Sequence, residues 1–315
     1  MRFIFVMDPV ERVIVDEDTT YALMREAEAR GHRVEHALHT DLFVEAGVLH
    51  AYVRKAHCTD RRERPIELGE RERVEVEAVD AVFVRKDPPF DDGYLWLTLL
   101  LEHVRGKTLV LNDPQGLRNA NEKLYAMRFP EVTPRTLVSA DKAEILRFLR
   151  EVGGKAVIKP IDGHGGEGVM KLEEGHMNQN AIVEALTRHG TRHAMVQAFI
   201  PEVSLGDKRI LLLDGEPLGA ILRVPQKGDL RSNIHVGGRV EKTTLDEHDR
   251  RIVAAVADTL RREGLIFVGL DVIGGKLTEV NVTSPTGIQQ MTRLDGVNYP
   301  GRVIDWVEAK LAGRA

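Results

Sequence analysis

"VIKPIDGHGGEGVMKL", residues 157–172, sets four glycines (Gly163, Gly165, Gly166 and Gly168) behind one lysine, Lys159. The glycines match G-x-G-x-x-G, and the fold depends on what surrounds them. A dinucleotide fingerprint opens a helix whose N-terminus holds the pyrophosphate. Here the continuation, "VMKLEEG", is short, reaches a turn at Glu174-Gly175 and reads as a strand. A Walker A loop needs Lys-Ser or Lys-Thr after its last glycine, where this chain has Val169-Met170. What remains is a loop between two strands that folds over a nucleotide from above. Glycines let backbone N–H groups approach phosphate oxygens, since no Cβ intervenes. Lys159 precedes them because the incoming strand forms the floor of the site. Protein kinases use such a loop, but no kinase catalytic-loop or Asp-Phe-Gly motif is present. Taken alone, the loop also allows a plain hairpin with a surface lysine.

"GLDVIGGKLTEVNVTSPTG", residues 269–287, narrows the choice. Glu279, Asn281 and Thr283 alternate, so they share one strand face, with Val280 and Val282 on the other. Asp271 on the preceding strand is the natural third member of an all-oxygen site for Mg²⁺ bridged to phosphates. Register decides whether it can be. A two-residue Gly274-Gly275 turn sets Asp271 opposite Thr278, and a three-residue turn, Gly274 to Lys276, sets it opposite Glu279. The expectation is the three-residue turn. A merely solvated outer face is the alternative, although Asn is a poor strand former.

The rest of the chain fits around these two stretches. "RFIFVMD", "TTYALMREAEARGH" and "RVEHALH" read as strand, helix and strand, the opening of a parallel α/β domain over residues 1–120. Its ligands belong beyond strand ends such as "MDP" (7–9) and "RKDPPFD" (85–91). Residues 121–200 form a central part that carries the glycine loop. Residues 201–315 read as antiparallel sheet with hairpin turns at Asp214-Gly215 and Gly274-Gly275. With 315 residues, 43% hydrophobic and 30% charged, the chain is of globular composition, and a net charge of −5 argues against nucleic-acid binding. No run of about 18 apolar residues suggests a membrane span. The single cysteine, Cys58, excludes an internal disulfide framework and points to the cytoplasm.

In order, Lys123, Lys159 with its glycines, "QAFIPE", Asp271, Glu279 and Asn281 resemble the ATP-grasp fold. The chain resembles the bacterial glutathione synthetase family along essentially its whole length. The resemblance is carried by "VMDP", "RKDPPFD", "NEKLY", "KPIDGHGG", "GDKRILLLDGEP", "GLIFVGLDVIG" and "LTEVNVTSPT". It implies an α/β ATP-grasp fold with an α+β C-terminal part, behind a parallel-sheet N-terminal domain. The implied reaction joins γ-glutamylcysteine and glycine, with ATP as co-substrate, to glutathione, ADP and phosphate through an acyl phosphate. Another ATP-grasp carboxylate–amine ligase is the alternative. By the same resemblance, Lys123 and Lys159 contact nucleotide phosphates. Gln197, Ala198, Phe199 and Ile200 line the adenine pocket, and Asp207 reaches the ribose. Asp271, Glu279 and Asn281 carry Mg²⁺ or Mn²⁺. Arg209 and Arg223 steady the transferred phosphate. Arg85, Arg239 and the Ser284-Pro285-Thr286 turn hold the peptide, and the assembly is a homotetramer.

An acyl phosphate hydrolyses if water reaches it, so a closing lid is useful. "PQKGDLRSNIHVGGR", residues 225–239, is polar and glycine-bearing and is the lid candidate. The match is weakest here, since Lys227-Gly228-Asp229 stands where the family usually has Gly-Gly-Glu. His164 could touch a ligand, while His32, His36 and His39 lack metal-ligand spacing and read as structural.

Overall fold

Three sheets organise the chain in this computed structural model, which describes residues 1–163, 165–226 and 238–313. The first contains β1 (Arg2–Met7), β2 (Arg33–Ala37), β3 (Leu42–Glu45), β4 (Val48–Cys58), β5 (Ile66–Glu75), β6 (Ala81–Arg85) and β7 (Leu109–Leu111). The second contains β8 (Thr136–Ser139), β9 (Lys155–Pro160), β10 (Met170–Glu173) and β11 (Ala194–Ala198). The third contains β12 (Asp207–Leu213), β13 (Glu216–Val224), β14 (Arg239–Lys242), β15 (Phe267–Ile273) and β16 (Lys276–Asn281). Around them lie α1 (Thr19–Ala29), α2 (Asp92–Leu101), α3 (Pro114–Asn119), α4 (Lys142–Glu151), α5 (Gln179–Leu186), α6 (Glu247–Arg262), α7 (Ile288–Asp295) and α8 (Tyr299–Ala312). Among the described residues, no helix is long and apolar enough to cross a membrane.

The N-terminal sheet corrects one expectation. Its centre, β2-β1-β6-β7, is parallel as expected, but β4 joins β2 antiparallel and carries β3 and β5 as further antiparallel partners. The sheet is therefore mixed. β1 lies between β2 and β6, so the chain leaves it on both sides and the carboxyl ends of β1 and β6 open a crevice at this switch point. The buried runs Phe3–Met7 and Ala81–Arg85 hold those ends rigidly, since both faces of each strand are covered.

The glycine stretch lies where the sequence put it. β9 and β10 are antiparallel neighbours, with Met170 opposite Ile158, and the loop connects them. β9 sits between β10 and β11, so Lys159 is on an interior strand. This sheet has its own small core, in which Ile145, Phe148 and Leu149 of α4 meet Ile158, Leu172 and Val196. The first and third sheets instead share apolar cores, with Val82 and Val84 in the same cluster as Ile210, Val268 and Val280.

Asn112, just beyond β7, ties those two sheets together. Its side-chain nitrogen donates to Phe267 O at 2.9 Å and Val282 O at 2.7 Å, and its oxygen accepts from Ile266 N and Phe267 N, both at 2.8 Å. Asn112 is buried, and each backbone group orphaned in such a place costs about 1–3 kcal/mol. Asn112→Ala is therefore expected to lower the unfolding free energy by about 3 kcal/mol or more in guanidinium titration. A loss below about 1 kcal/mol would show that the strut carries little.

Candidate active site

The acidic hairpin has a two-residue turn, not the three-residue turn expected from the sequence. Ile273 pairs with Lys276 across Gly274 and Gly275, whose φ values of 54° and 70° suit glycine in a tight hairpin. Asp271 nevertheless pairs with Glu279. A bulge after Asp271 supplies the missing step: Val272 pairs with Leu277, and Thr278 is left over. The Thr278 hydroxyl donates to Asp271 O at 3.1 Å. The pairing was right, and the device that makes it is the bulge.

Cross-strand register then builds one polar face. Asp207 pairs with Arg223, Arg209 with Asp271, and Asp271 with Glu279. Arg209 grips Asp271 with two bonds, Nε to Oδ1 at 2.5 Å and a terminal nitrogen to Oδ2 at 3.0 Å. Arg223 bonds both oxygens of Asp207 at 2.6 Å and reaches Asp271 at 3.0 Å. Asn281 Nδ2 donates to Asp271 Oδ2 at 3.3 Å. Burial disfavours charge on Asp271, but Arg209 and Arg223 outweigh it and hold the carboxyl well below its ordinary range.

Glu279 faces the second sheet. Lys159 Nζ donates to it at 3.1 Å and Lys123 Nζ lies 3.8 Å away. Burial again works against charge, and Lys123 and Lys159 outweigh it, so Glu279 stays ionised below its usual range. Lys123 also bonds Glu122 and the carbonyl of Gly163, which pins the loop's entrance. Burial, reinforced by the charge of Glu279, pushes the Glu122 carboxyl up.

Two cavities meet at these carboxylates. The first is lined by Val157, Lys159, Gln197, Phe199, Ile200 and Gly166 among others, and the second, of about 430 Å³, by Arg85, Arg209, Arg223, Asn281 and Gly165. Asp271 and Glu279 line both. Ala198 and Asp207 border the first, and Ser284, Pro285 and Thr286 the second. Both strand ends singled out by sequence, at Met7–Pro9 and Arg85–Pro88, reach the second. Gly163 and Gly168 serve the loop's packing: a Cβ on either would come within 2.7 and 2.9 Å of the Pro160 ring.

Arg239 is not brought to this site. It starts β14, exposed, and pairs with Glu241 at 2.5 Å. Of the lid stretch, residues 227–237 lie outside the described residues, as does His164. Cys58 is half-buried; burial and the neighbouring Glu28 push its thiol up to about 12, which suits an inert role. His32 bonds Glu308 at 2.7 Å, a structural contact. Sequence reasoning passed over Glu122, although it stands beside Lys123 in "NEKLY", Thr19, which was read only as part of a helix, and Gln290, which lies beyond the last stretch that was read.

No group of three or more His, Cys, Asp or Glu residues suited to a metal is found among the described residues. Two opposed carboxylates and a carboxamide do offer hard oxygen donors where the cavities join, and that donor set fits a Mg²⁺-like cation.

Family comparisons agree with this geometry. The family model for the prokaryotic glutathione synthetase N-terminal domain matches residues 1–118, and that for the prokaryotic glutathione synthetase ATP-grasp domain matches residues 122–296. A glutathione synthetase of Gloeobacter violaceus is 47% identical, covering 98% of this chain and 96% of its own. One from Vibrio cholerae is 42% identical, covering 98% of each. Among solved structures, D-cycloserine synthetase DcsG aligns over 99% of this chain and 100% of its own at 18% identity with a TM-score of 0.67. The ATP-grasp ligase PsnB, in complex with minimal precursor, Mg and ADP, aligns over 98% of each chain at 16% identity and 0.63. At those identities the likeness shows the fold.

Depressed carboxyls stabilise the folded state above their unfolded-state values and lose that contribution as pH falls through the folded values. Asp271→Asn leaves two buried arginines short of a partner, a loss of about 3–5 kcal/mol. The gap in unfolding free energy between wild type and Asp271→Asn is expected to stay level from about pH 8 to about pH 5 and to narrow below the ordinary Asp value of 3.8. A gap that does not narrow in acid would mean that the two arginines do not set the ionisation of Asp271.

Proposed function

The chain belongs to the prokaryotic glutathione synthetase family and is an ATP-dependent ligase, and we propose that γ-glutamylcysteine and glycine are joined where its two cavities meet. The observation that carries this reading is the pair Asp271 and Glu279 lining both cavities. One cavity then holds the nucleotide and the other the acceptor, with the transferable phosphate between them.

A carboxylate is a poor electrophile. Transfer of the terminal phosphoryl group of ATP to the cysteinyl carboxylate gives an acyl phosphate and ADP. The amine of glycine then attacks that carbonyl carbon and expels phosphate. Such transfer needs positioning and positive charge more than a covalent protein group. Lys159 and Lys123 are set to meet the phosphates, and Arg209 and Arg223 to meet the charge that develops on the transferred group. Gln197 to Ile200 provide the adenine wall, and Asp207 is within reach of the ribose. Asp271, Glu279 and Asn281 would hold Mg²⁺ or Mn²⁺, which when bound neutralises phosphate charge. Arg85 and the 284–286 turn hold the peptide. The family implies a homotetramer in the cytoplasm, and light scattering of the purified chain tests the assembly.

ADP release is expected only when γ-glutamylcysteine and glycine are both present, with a product of glutathione mass. Release with another acid or amine would favour a different carboxylate–amine ligase on the same scaffold. Glu279→Gln is expected to cut kcat at least about 100-fold, a loss in the range of removed transition-state electrostatics, with the circular dichroism spectrum unchanged. Wild-type turnover in that variant would sink the assignment of Glu279.

A further inference from the structure

The larger cavity runs from Glu279 to the start of α1, where a second set of polar groups gathers. Thr19 is 1% exposed and Gln290 5%. The hydroxyl oxygen of Thr19 and the side-chain oxygen of Gln290 are buried and accept no hydrogen bond among the described residues, and both residues line this cavity. The neighbouring Gln289 clamps α7 onto the loop before α1, donating to Val15 O and Asp18 O at 2.7 Å each. Asp18 lines the same wall. One of its oxygens caps α1 by accepting from Tyr21 N at 2.7 Å; burial pushes this carboxyl up, while the Tyr21 N–H and the charge of Arg85 favour its ionised form.

Buried polar atoms left unsatisfied are rare and call for a ligand or another cause. Oxygens gathered beside a carboxylate suit a group with donors only, and an ammonium has three donors and no acceptor. The adjoining cation is Arg85. It is buried, and it bonds the Thr20 hydroxyl and the Pro285 carbonyl at 3.0 Å each, so among the described residues its charge is not matched by a bonded carboxylate. Asp18 is close enough to Arg85 for each to feel the other's charge. A cation beside acceptors and an anion matches a carboxylate and an ammonium on one carbon.

We propose that Asp18, Thr19, Gln290 and Arg85 form the specificity site for the free α-amino-acid head of the γ-glutamyl donor, the first three taking its ammonium and Arg85 its carboxylate. This rests on the donor assigned above. It gives the γ linkage a physical meaning: only a γ-linked glutamyl group keeps its α-ammonium and α-carboxylate on the same carbon, both free. The junction carboxylates do not compete for that ammonium, since Asp271 and Glu279 are held by arginine and lysine.

Steady-state kinetics with γ-glutamylcysteine and with glutarylcysteine, which lacks only the amino group, test the proposal. In the wild type, KM for glutarylcysteine is expected to be at least about 30-fold higher, because sites built to hydrogen-bond a group reject analogues without it. Thr19→Val, Gln290→Met and Asp18→Asn, the last keeping a capping residue, are expected to raise KM for γ-glutamylcysteine about tenfold or more. KM for glutarylcysteine, ATP and glycine should stay within about threefold, since none of these variants alters their partners. Equal KM values for the two donors in the wild type, a comparison that needs no variant, would overturn the corner alone. So would variants that raise both donors' KM alike. No ADP release from wild type with γ-glutamylcysteine and glycine would instead overturn the donor assignment, and the corner's occupant with it.

Discussion

Asp271 and Glu279 are carboxylates taken largely out of water, and the rest of the site is arranged around that fact. An unpaired buried charge is costly, and removing one partner of a buried pair costs about 3–5 kcal/mol. Each of the two has two cations. Arg209 and Arg223 come from β12 and β13, Lys159 from β9, and Lys123 from the segment between α3 and β8. The sheets must therefore approach closely at this point. The same cations suit a polyphosphate, and a cation that accompanies it can take over the carboxylates they release. Entry of such a ligand would be an exchange of partners among charges already desolvated, with little reorganisation left for the reacting state.

A single extra residue makes the pairing of Asp271 with Glu279 possible. Side chains alternate along a strand, so a slip of one residue would turn Glu279 to the opposite face. The sequence pattern of Glu279 and Asn281 marked one polar strand face, and Asp271 was legible as its partner. The route was not. Gly274-Gly275 closes a two-residue turn, and the bulge at Thr278 restores the register. Nothing in "VIGGKLTE" separates a longer turn from a bulge, because both add one residue to the same strand. The N-terminal sheet shows another limit. β5, "IELGERERVE", lies mostly in solvent and buries only Ile66 and Val74, so it lacks the apolar alternation by which strands are recognised. Its antiparallel pairing with β4 was hidden for that reason, while β1 and β6 were plain because both their faces are apolar.

The glycine loop was read from its surroundings and not from its letters, and the fold bears that out. What the sequence could not supply was the division of labour among the four glycines. Gly165 and Gly166 border the cavities, whereas Gly163 and Gly168 let the loop close on Pro160. That distinction depends on distances between residues that are close in sequence but turned in different directions. Asn112 is similar. It looks like the end of a strand, "TLVLND", and only its four hydrogen bonds at the third sheet reveal that it ties the N-terminal crevice to that sheet.

Charge is distributed unevenly along the larger cavity. At the junction, every carboxylate is matched by a cation, which makes that end receptive to phosphate and indifferent to an ammonium. At the start of α1, the oxygens of Thr19 and Gln290 lack partners among the described residues and Asp18 caps the helix, which makes that end receptive to an ammonium. A zwitterionic donor placed the other way round would set its ammonium beside Arg209 and Arg223 and a carboxylate beside Asp18. Like charges in such low-dielectric surroundings repel strongly. Under the proposed assignment, the cavity orients its donor by disfavouring the reverse placement as well as by attracting the correct one. Under the same assignment, the carboxylate to be activated is the one left beside Asp271 and Glu279.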